Sequence, residues 1–417
     1  MSQREVGAGA WLDAFLRVAS HGGRARQNEG LIAAGMVTSL AYYYVVPLPL
    51  VALPGLLCFA ALAWVRLDLA LCLLPLTFPF WYVPKRVMGH VVFPLSEIAL
   101  GVCIAVAVVI LGERVLRSGR GSAYLLRYTR EVATRIERWQ LIGASLLLIG
   151  MTVGVVIARR PHEALRVWRW EIVEPLLYVL LVTAFVRSAR MARWLVWSFL
   201  GSALLVAVLA AVQVLWLHVT FASLAQGSVL IPYSVPGGGV PRATAFIFIS
   251  GNTLGTWLAR ALPLALALAV AGGGSKDGWM RRERLAAVVC GVACVLALVW
   301  SASRGAWIAA GLACLVVACL VWRRLLWPVA AVGVVGLLVA LWQRETLAAV
   351  LLGGHGGTGE VRVLVWLAAW HMIRDHMVLG IGPDQFLYYY SNLYTSHPYW
   401  ITVLNGHTTL AAREPDL

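Results

Sequence analysis

The chain has 417 residues, of which 61% are hydrophobic and only 13% charged. Soluble domains carry roughly 25% charged residues, so these figures exclude a water-soluble fold, a disordered chain and a collagen-like chain. They point to a polytopic membrane protein. The net charge of +15 comes from 34 Lys and Arg against 19 Asp and Glu. Because the basic residues lie between apolar runs, topology and anionic headgroups account for them, and no nucleic-acid partner is expected.

Residues 1–30 are polar, carry Arg4, Arg17, Arg24 and Arg26, and lack a signal-peptide cleavage pattern. They read as a cytoplasmic N-terminal segment. Apolar runs of near-bilayer length follow at 31–46, 48–65, 68–83, 91–112, 140–158, 172–187, 194–217, 249–271, 285–301, 305–322 and 325–342. They predict an all-α, polytopic membrane helix bundle of about 11 spans. Residues 31–217 form its N-terminal transmembrane helices. Residues 218–342 hold an outer arginine loop and further helices, and 343–417 form a large extracytoplasmic loop. With the N-terminus inside, cytoplasmic segments hold 21 of the 34 basic residues, counting Arg187 at a span edge, against 12 outside. That split fits a multi-pass protein of the cell inner or plasma membrane. Lys85 and Arg86 fall on the outer side, against the trend.

The outer segment 218–248 contains Pro232, Pro236, Gly237-Gly238-Gly239, Pro241 and Arg242. In the last segment, 361–378 is helical in pattern, with Arg362, Arg374 and Asp375 among apolar residues, and suits an interfacial position. Gly380-Ile381-Gly382-Pro383 ends that helix. The polar sequence up to Leu417 is not followed by a closing helix, so truncation is expected there.

No phosphate-loop, dinucleotide, zincin, nucleophile-elbow or Asp-x-Asp pattern occurs. Cys58, Cys72, Cys103, Cys290, Cys294, Cys314 and Cys319 sit in apolar runs without histidines at ligand spacing. Buried thiols explain them, and neither metal nor cofactor is expected. What remains is arginine at the outer boundary. Ser303-Arg304-Gly305 forms a tight turn between two runs, Arg242 follows the Gly/Pro-rich loop with Asn252 further on, and Arg362 follows Glu360. A guanidinium is always charged and presents a fork that matches phosphate oxygens, so three of them suit a lipid diphosphate. The plainer readings are a snorkelling Arg304, an Arg242 held only in its loop, and an Arg362 paired with Glu360 or headgroups. Arg159, Arg160, Arg166 and Arg169 read as a solvated or headgroup-facing run. Glu97, inside a span, calls for a structural partner or a wet cavity. His355, His371, His376, His397 and His407 are the histidines of the last segment, and His397 and His407 lead as bases because they lie beyond the helix.

From about 240 to 390 the chain resembles the O-antigen ligase and polymerase family of bacterial membrane glycosyltransferases. The resemblance is carried by Arg242-Ala-Thr-Ala-Phe with Asn252, by Ser303-Arg304-Gly305-Ala306-Trp307, by Glu360-x-Arg362 with Trp366, and by Gly380-Ile381-Gly382-Pro383 with Phe386. It implies transfer of a glycan from an undecaprenyl-diphosphate-linked oligosaccharide donor to an acceptor sugar, lipid or protein, without metal or nucleotide. It also implies diphosphate binding by Arg242, Arg304 and Arg362. The resemblance places the general base in a late His-Asn stretch. Here Ser396-His397-Pro398 is followed by Tyr399, so the base is not assigned to a residue of this chain. A transporter of lipid-linked sugar and a non-catalytic membrane remnant are the alternative functions.

Overall fold

The computed structural model describes residues 29–88, 91–119, 121–217, 219–224, 227–232, 242–271, 278–325, 327–328, 358–394, 399–404 and 407–412. The expected run at 325–342 lies almost entirely outside them. The described chain is mostly helical and divides into two units, 1–136 with 178–206, and 137–177 with 207–417.

The first unit begins with α1 (Glu29–Val45), α2 (Pro49–Val65) and α3 (Leu67–Leu73), which continues as a 3-10 segment, Leu74–Tyr82. Pro49 starts α2, where its missing N–H costs nothing. Pro75 and Pro79 account for the tighter helix, which keeps a steeper rise. Its 9 residues and the 7 of α3 together reach about 28 Å, close to the thickness of a hydrocarbon core. A hairpin of β1 (Lys85–Met88) and β2 (Val91–Phe93) precedes α4 (Leu95–Ser118), which stops at left-handed Gly119. Next come α5 (Gly121–Ala133) and parts of α8 (Glu174–Phe185) and α9 (Ala189–Ala211). The core gathers Met36, Phe59, Leu69, Leu71, Leu74 and Cys103, with Tyr178 donating to the Leu71 carbonyl at 3.1 Å.

Two charges in this unit have structural duties. Lys85 is buried, and its ammonium donates to the carbonyls of Tyr43 and of Val46 at the end of α1. A cation there satisfies orphan carbonyls and suits the helix dipole, while burial lowers the Lys85 pKa. Its place against the charge trend therefore follows from helix capping. Arg66 pairs with Asp68 at 2.9 Å and with buried Glu29 at 3.3 Å, and Arg190 reaches Glu29 at 2.9 Å. Glu97 falls in the first turn of α4, because the hairpin occupies the residues before Leu95. There a helix N-terminus favours a carboxylate.

The second unit starts with α6 (Arg138–Ile157), α7 (Pro161–Trp168) and a π segment, Arg169–Val173. It resumes at the end of α9, which passes into a second π segment, Val212–Trp216. Hairpin β3 (Val219–Leu224) and β4 (Gly227–Pro232) follows, then α10 (Gly251–Ala271), α11 (Gly278–Trp300) and α12 (Arg304–Val321). Last come α13 (Thr358–Asp375), α14 (Phe386–Leu393) and the hairpin β5 (Tyr399–Leu404) and β6 (His407–Ala412). Among the described residues, three antiparallel hairpins depart from the all-α expectation. The β-branched and aromatic run Tyr399–Leu404 explains one of them.

Among the described residues, six helices are long and apolar enough to cross a membrane: Leu95–Ser118, Arg138–Ile157, Ala189–Trp216, Gly251–Val270, Arg281–Trp300 and Arg304–Val321. On α6 the side chains of Leu146, Ile149 and Val156 are 65%, 60% and 80% exposed. A helix apolar on all sides and left uncovered by protein has lipid as its solvent.

Candidate active site

The arginine loop and the turn before α12 meet in one hydrogen-bonded cluster. Arg242 Nε donates to the Ser301 carbonyl at 3.0 Å, and its Nη2 donates to Asn252 Oδ1 at 2.7 Å and to the Ala302 carbonyl at 3.2 Å. Asn252 Oδ1 also accepts from Ser303 Oγ at 3.0 Å. One amide oxygen thus joins the loop to the turn that delivers Arg304. Asn252 can do this because it stands one residue inside the start of α10. Gly251, before it, is required by space: a Cβ would lie 2.5 Å from the Ser301 carbonyl oxygen.

The turn itself is tight. The Ser301 N–H bonds the Ala297 carbonyl at 2.9 Å and Ala302 is left-handed, with φ 47°. Trp307 Nε1 donates back to the Leu298 carbonyl at 2.7 Å. Arg304 then opens α12 as an exposed side chain. Ser303 is the N-cap residue, yet it makes no side-chain cap bond, since its hydroxyl turns to Asn252. The result is a helix N-terminus beside two guanidinium-bearing residues, an arrangement that favours anions.

Behind Arg242, the loop is held by Gln213, a fully buried residue that sequence reasoning missed. Its Oε1 accepts the N–H groups of Thr244 at 2.9 Å and Ala245 at 2.8 Å. Ala245 and Phe246 are left-handed, at φ 53° and 60°. The π segment Val212–Trp216 carries Gln213, and such segments recur at functional sites. A lone glutamine in an apolar run was the one signal available.

The structure brings Arg242 and the Arg304 turn together. Arg362 stands in the second turn of α13. His355 and His397 lie outside the described residues, while His407 opens β6, paired in register with Leu404. His376 packs edge-on to Tyr389, with centroids 5.5 Å apart. No group of three or more possible metal ligands occurs among the described residues. At the end of α13, the Tyr394 hydroxyl donates to Asp375 Oδ2 at 2.8 Å, and this bond raises the Tyr394 pKa. Three arginines of the run 159–169 form partly exposed ion pairs, Arg160 with Glu163 at 3.2 Å, Arg166 with Asp384 at 3.3 Å and Arg169 with Glu174 at 3.4 Å, and keep about half of each side chain open to solvent or headgroups.

Residues 289–408 match the O-antigen ligase family model. The matched segment contains Arg304, Arg362, the Gly380–Pro383 turn, His397 and His407, and starts beyond Arg242 and Asn252. Neither the curated proteins nor the solved structures contain a match to the chain. With its helices of membrane-spanning length and this match, the chain is a multi-pass membrane protein whose residues 289–408 are similar to the O-antigen ligase family.

Proposed function

We propose that the protein transfers a glycan from a polyprenyl-diphosphate donor, undecaprenyl diphosphate by family resemblance, to an acceptor hydroxyl at the outer face of the inner or plasma membrane. The acceptor belongs to a sugar, lipid or protein. The N-terminus is then cytoplasmic, and residues 343–417 are extracytoplasmic. The observation that carries the reading is the position of Arg304 inside the family-matched segment, at a helix N-terminus without a side-chain cap, next to Ser303, which is joined through Asn252 to Arg242.

The lipid tail stays in the bilayer while Arg304, Arg362 and Arg242 neutralise the diphosphate. The acceptor oxygen attacks the anomeric carbon from the face opposite the leaving group. A new glycosidic bond forms, the bond from carbon to diphosphate oxygen breaks, and the anomeric configuration inverts. The hydroxyl proton passes to a general base, a role that the family resemblance gives to a late-segment histidine. As the bond breaks, negative charge grows on the diphosphate, and preorganised donors stabilise that change.

Losing one such donor typically costs about 2.7–4 kcal/mol, or roughly 100–1000-fold in rate. Arg304→Lys keeps the charge but loses the fork, so a fall of that order is expected. The assay follows glycan transfer and release of lipid diphosphate by the purified protein in lipid. Wild-type turnover by Arg304→Lys would remove Arg304 from the site. Movement of donor across the bilayer without transfer would replace the enzyme with a transporter.

A further inference from the structure

The segment that follows α13 is locked onto the corner between α6 and α7. Gln385 is fully buried and engages both backbone groups of a single residue. Its Oε1 accepts the Arg160 N–H at 2.9 Å, and its Nε2 donates to the Arg160 carbonyl at 3.3 Å and the Pro383 carbonyl at 3.2 Å. Beside it, Asp384 is left-handed, φ 58°, and receives Arg166 at 3.3 Å. The two backbones approach closely through glycines. A Cβ on Gly382, at φ 88°, would lie 2.5 Å from the Gly154 carbonyl oxygen, and one on Gly154 would lie 3.1 Å from Pro383 Cδ. The Arg160 guanidinium sits over the Tyr388 ring at 5.0 Å.

Gln385 is the N-cap residue of α14, and α14 shares a small core with α13 through Ala368, Met372, Tyr389 and Tyr390. The placement of α13, and of Arg362 in its second turn, is therefore inherited through the lock. We propose that Gln385 is a positioning residue for glycan transfer, with the Arg166–Asp384 pair as its outer support. The proposal rests on the transferase reading above. It assigns a task to the Gly380–Phe386 stretch: to hold the α13–α14 pair in register with the α6–α7 corner.

The test measures kcat and KM for the lipid-linked donor with the full chain in lipid. Gln385→Ala is expected to lower kcat roughly 10–100-fold, the scale of a small misplacement of a substrate-holding group, while KM changes little. Gln385→Glu, which loses the Nε2 donor, is expected to resemble it. Asp384→Asn tolerates the left-handed backbone and removes only the charge. Asp384→Asn and Arg166→Gln are each expected to lower kcat about 2–5-fold, the most that an exposed ion pair commonly carries. Their double variant is expected to be no worse than either, and Arg166→Lys to retain activity.

If Gln385→Ala does not fold, the Asp384 and Arg166 series decides. Wild-type kcat in Gln385→Glu and in Asp384→Asn would overturn the lock while leaving the transferase reading intact. A wild-type protein that transfers no glycan would overturn the transferase reading and the positioning role with it.

Discussion

At Asn252 a single oxygen accepts from both Arg242 and Ser303, so substitutions there separate stability from charge. Asn252→Ala removes the acceptor and is expected to lower stability by about 1 kcal/mol, read as a lower melting temperature in detergent. Asn252→Asp keeps both bonds and strengthens the one to Arg242. It should melt like the wild type yet bind the anionic donor more weakly, because a negative charge now stands in the anion site. Weaker melting with unchanged donor KM in Asn252→Asp would argue against an anion site. Tyr394 offers a pH test. Its pKa is raised by the bond to Asp375, so the contribution of that bond is complete below pH 10 and lost as pH rises beyond it. Ultraviolet titration of the wild type minus Tyr394→Phe should show one phenol ionising above the ordinary value of 10.

Among the elements, the packing of α10 against the turn and α12 depends on two glycines with different neighbours. At Gly251 the obstacle is the Ser301 backbone oxygen, 2.5 Å from a Cβ, and at Gly255 it is the Ala306 Cβ, at 2.7 Å. Backbone cannot rotate aside, so Gly251→Ala is expected to displace the Arg242 loop and remove transfer. Gly255→Val is expected to destabilise the protein by about 1–3 kcal/mol through overpacking. Thermal melting together with the transfer assay distinguishes the two. Full activity in Gly251→Ala would contradict the close approach of α10 to the turn. The helices themselves were legible from apolar runs: every expected run that falls on the described residues contains helix, with ends moved by up to seven residues, and the run at 325–342 lies almost entirely outside them. The π segments and the 3-10 segments, Leu74–Tyr82 and Arg323–Leu325, were not legible as such. Their hydrogen-bond spacing is chosen by what must be reached, as at Gln213, and apolar composition looks alike in all three helix types.

For the whole molecule, the proposed topology makes a prediction that does not depend on chemistry. Single cysteines replacing Arg130 in α5 and Ser228 in β4 are placed in a background lacking the seven native thiols. A membrane-impermeant maleimide added to intact cells should label the Ser228→Cys variant and leave the Arg130→Cys variant unlabelled. The reverse pattern would invert the orientation.

The sequence by itself determined that the chain lives in a bilayer, because no fold of this size hides so many apolar residues from water. It also determined the resemblance of its second half and the arginines that deserve substitution, since a short turn between two apolar runs leaves its charge at a boundary. Only the tertiary structure decided that Arg242 reaches the Arg304 turn through Asn252, that Gln213 holds the loop from behind, and that Gln385 grips Arg160. Those pairs lie between 10 and 225 residues apart along the chain. Amide and guanidinium groups bond whatever partner the fold places within about 3 Å, and periodicity along one strand of sequence carries no record of which partner that will be.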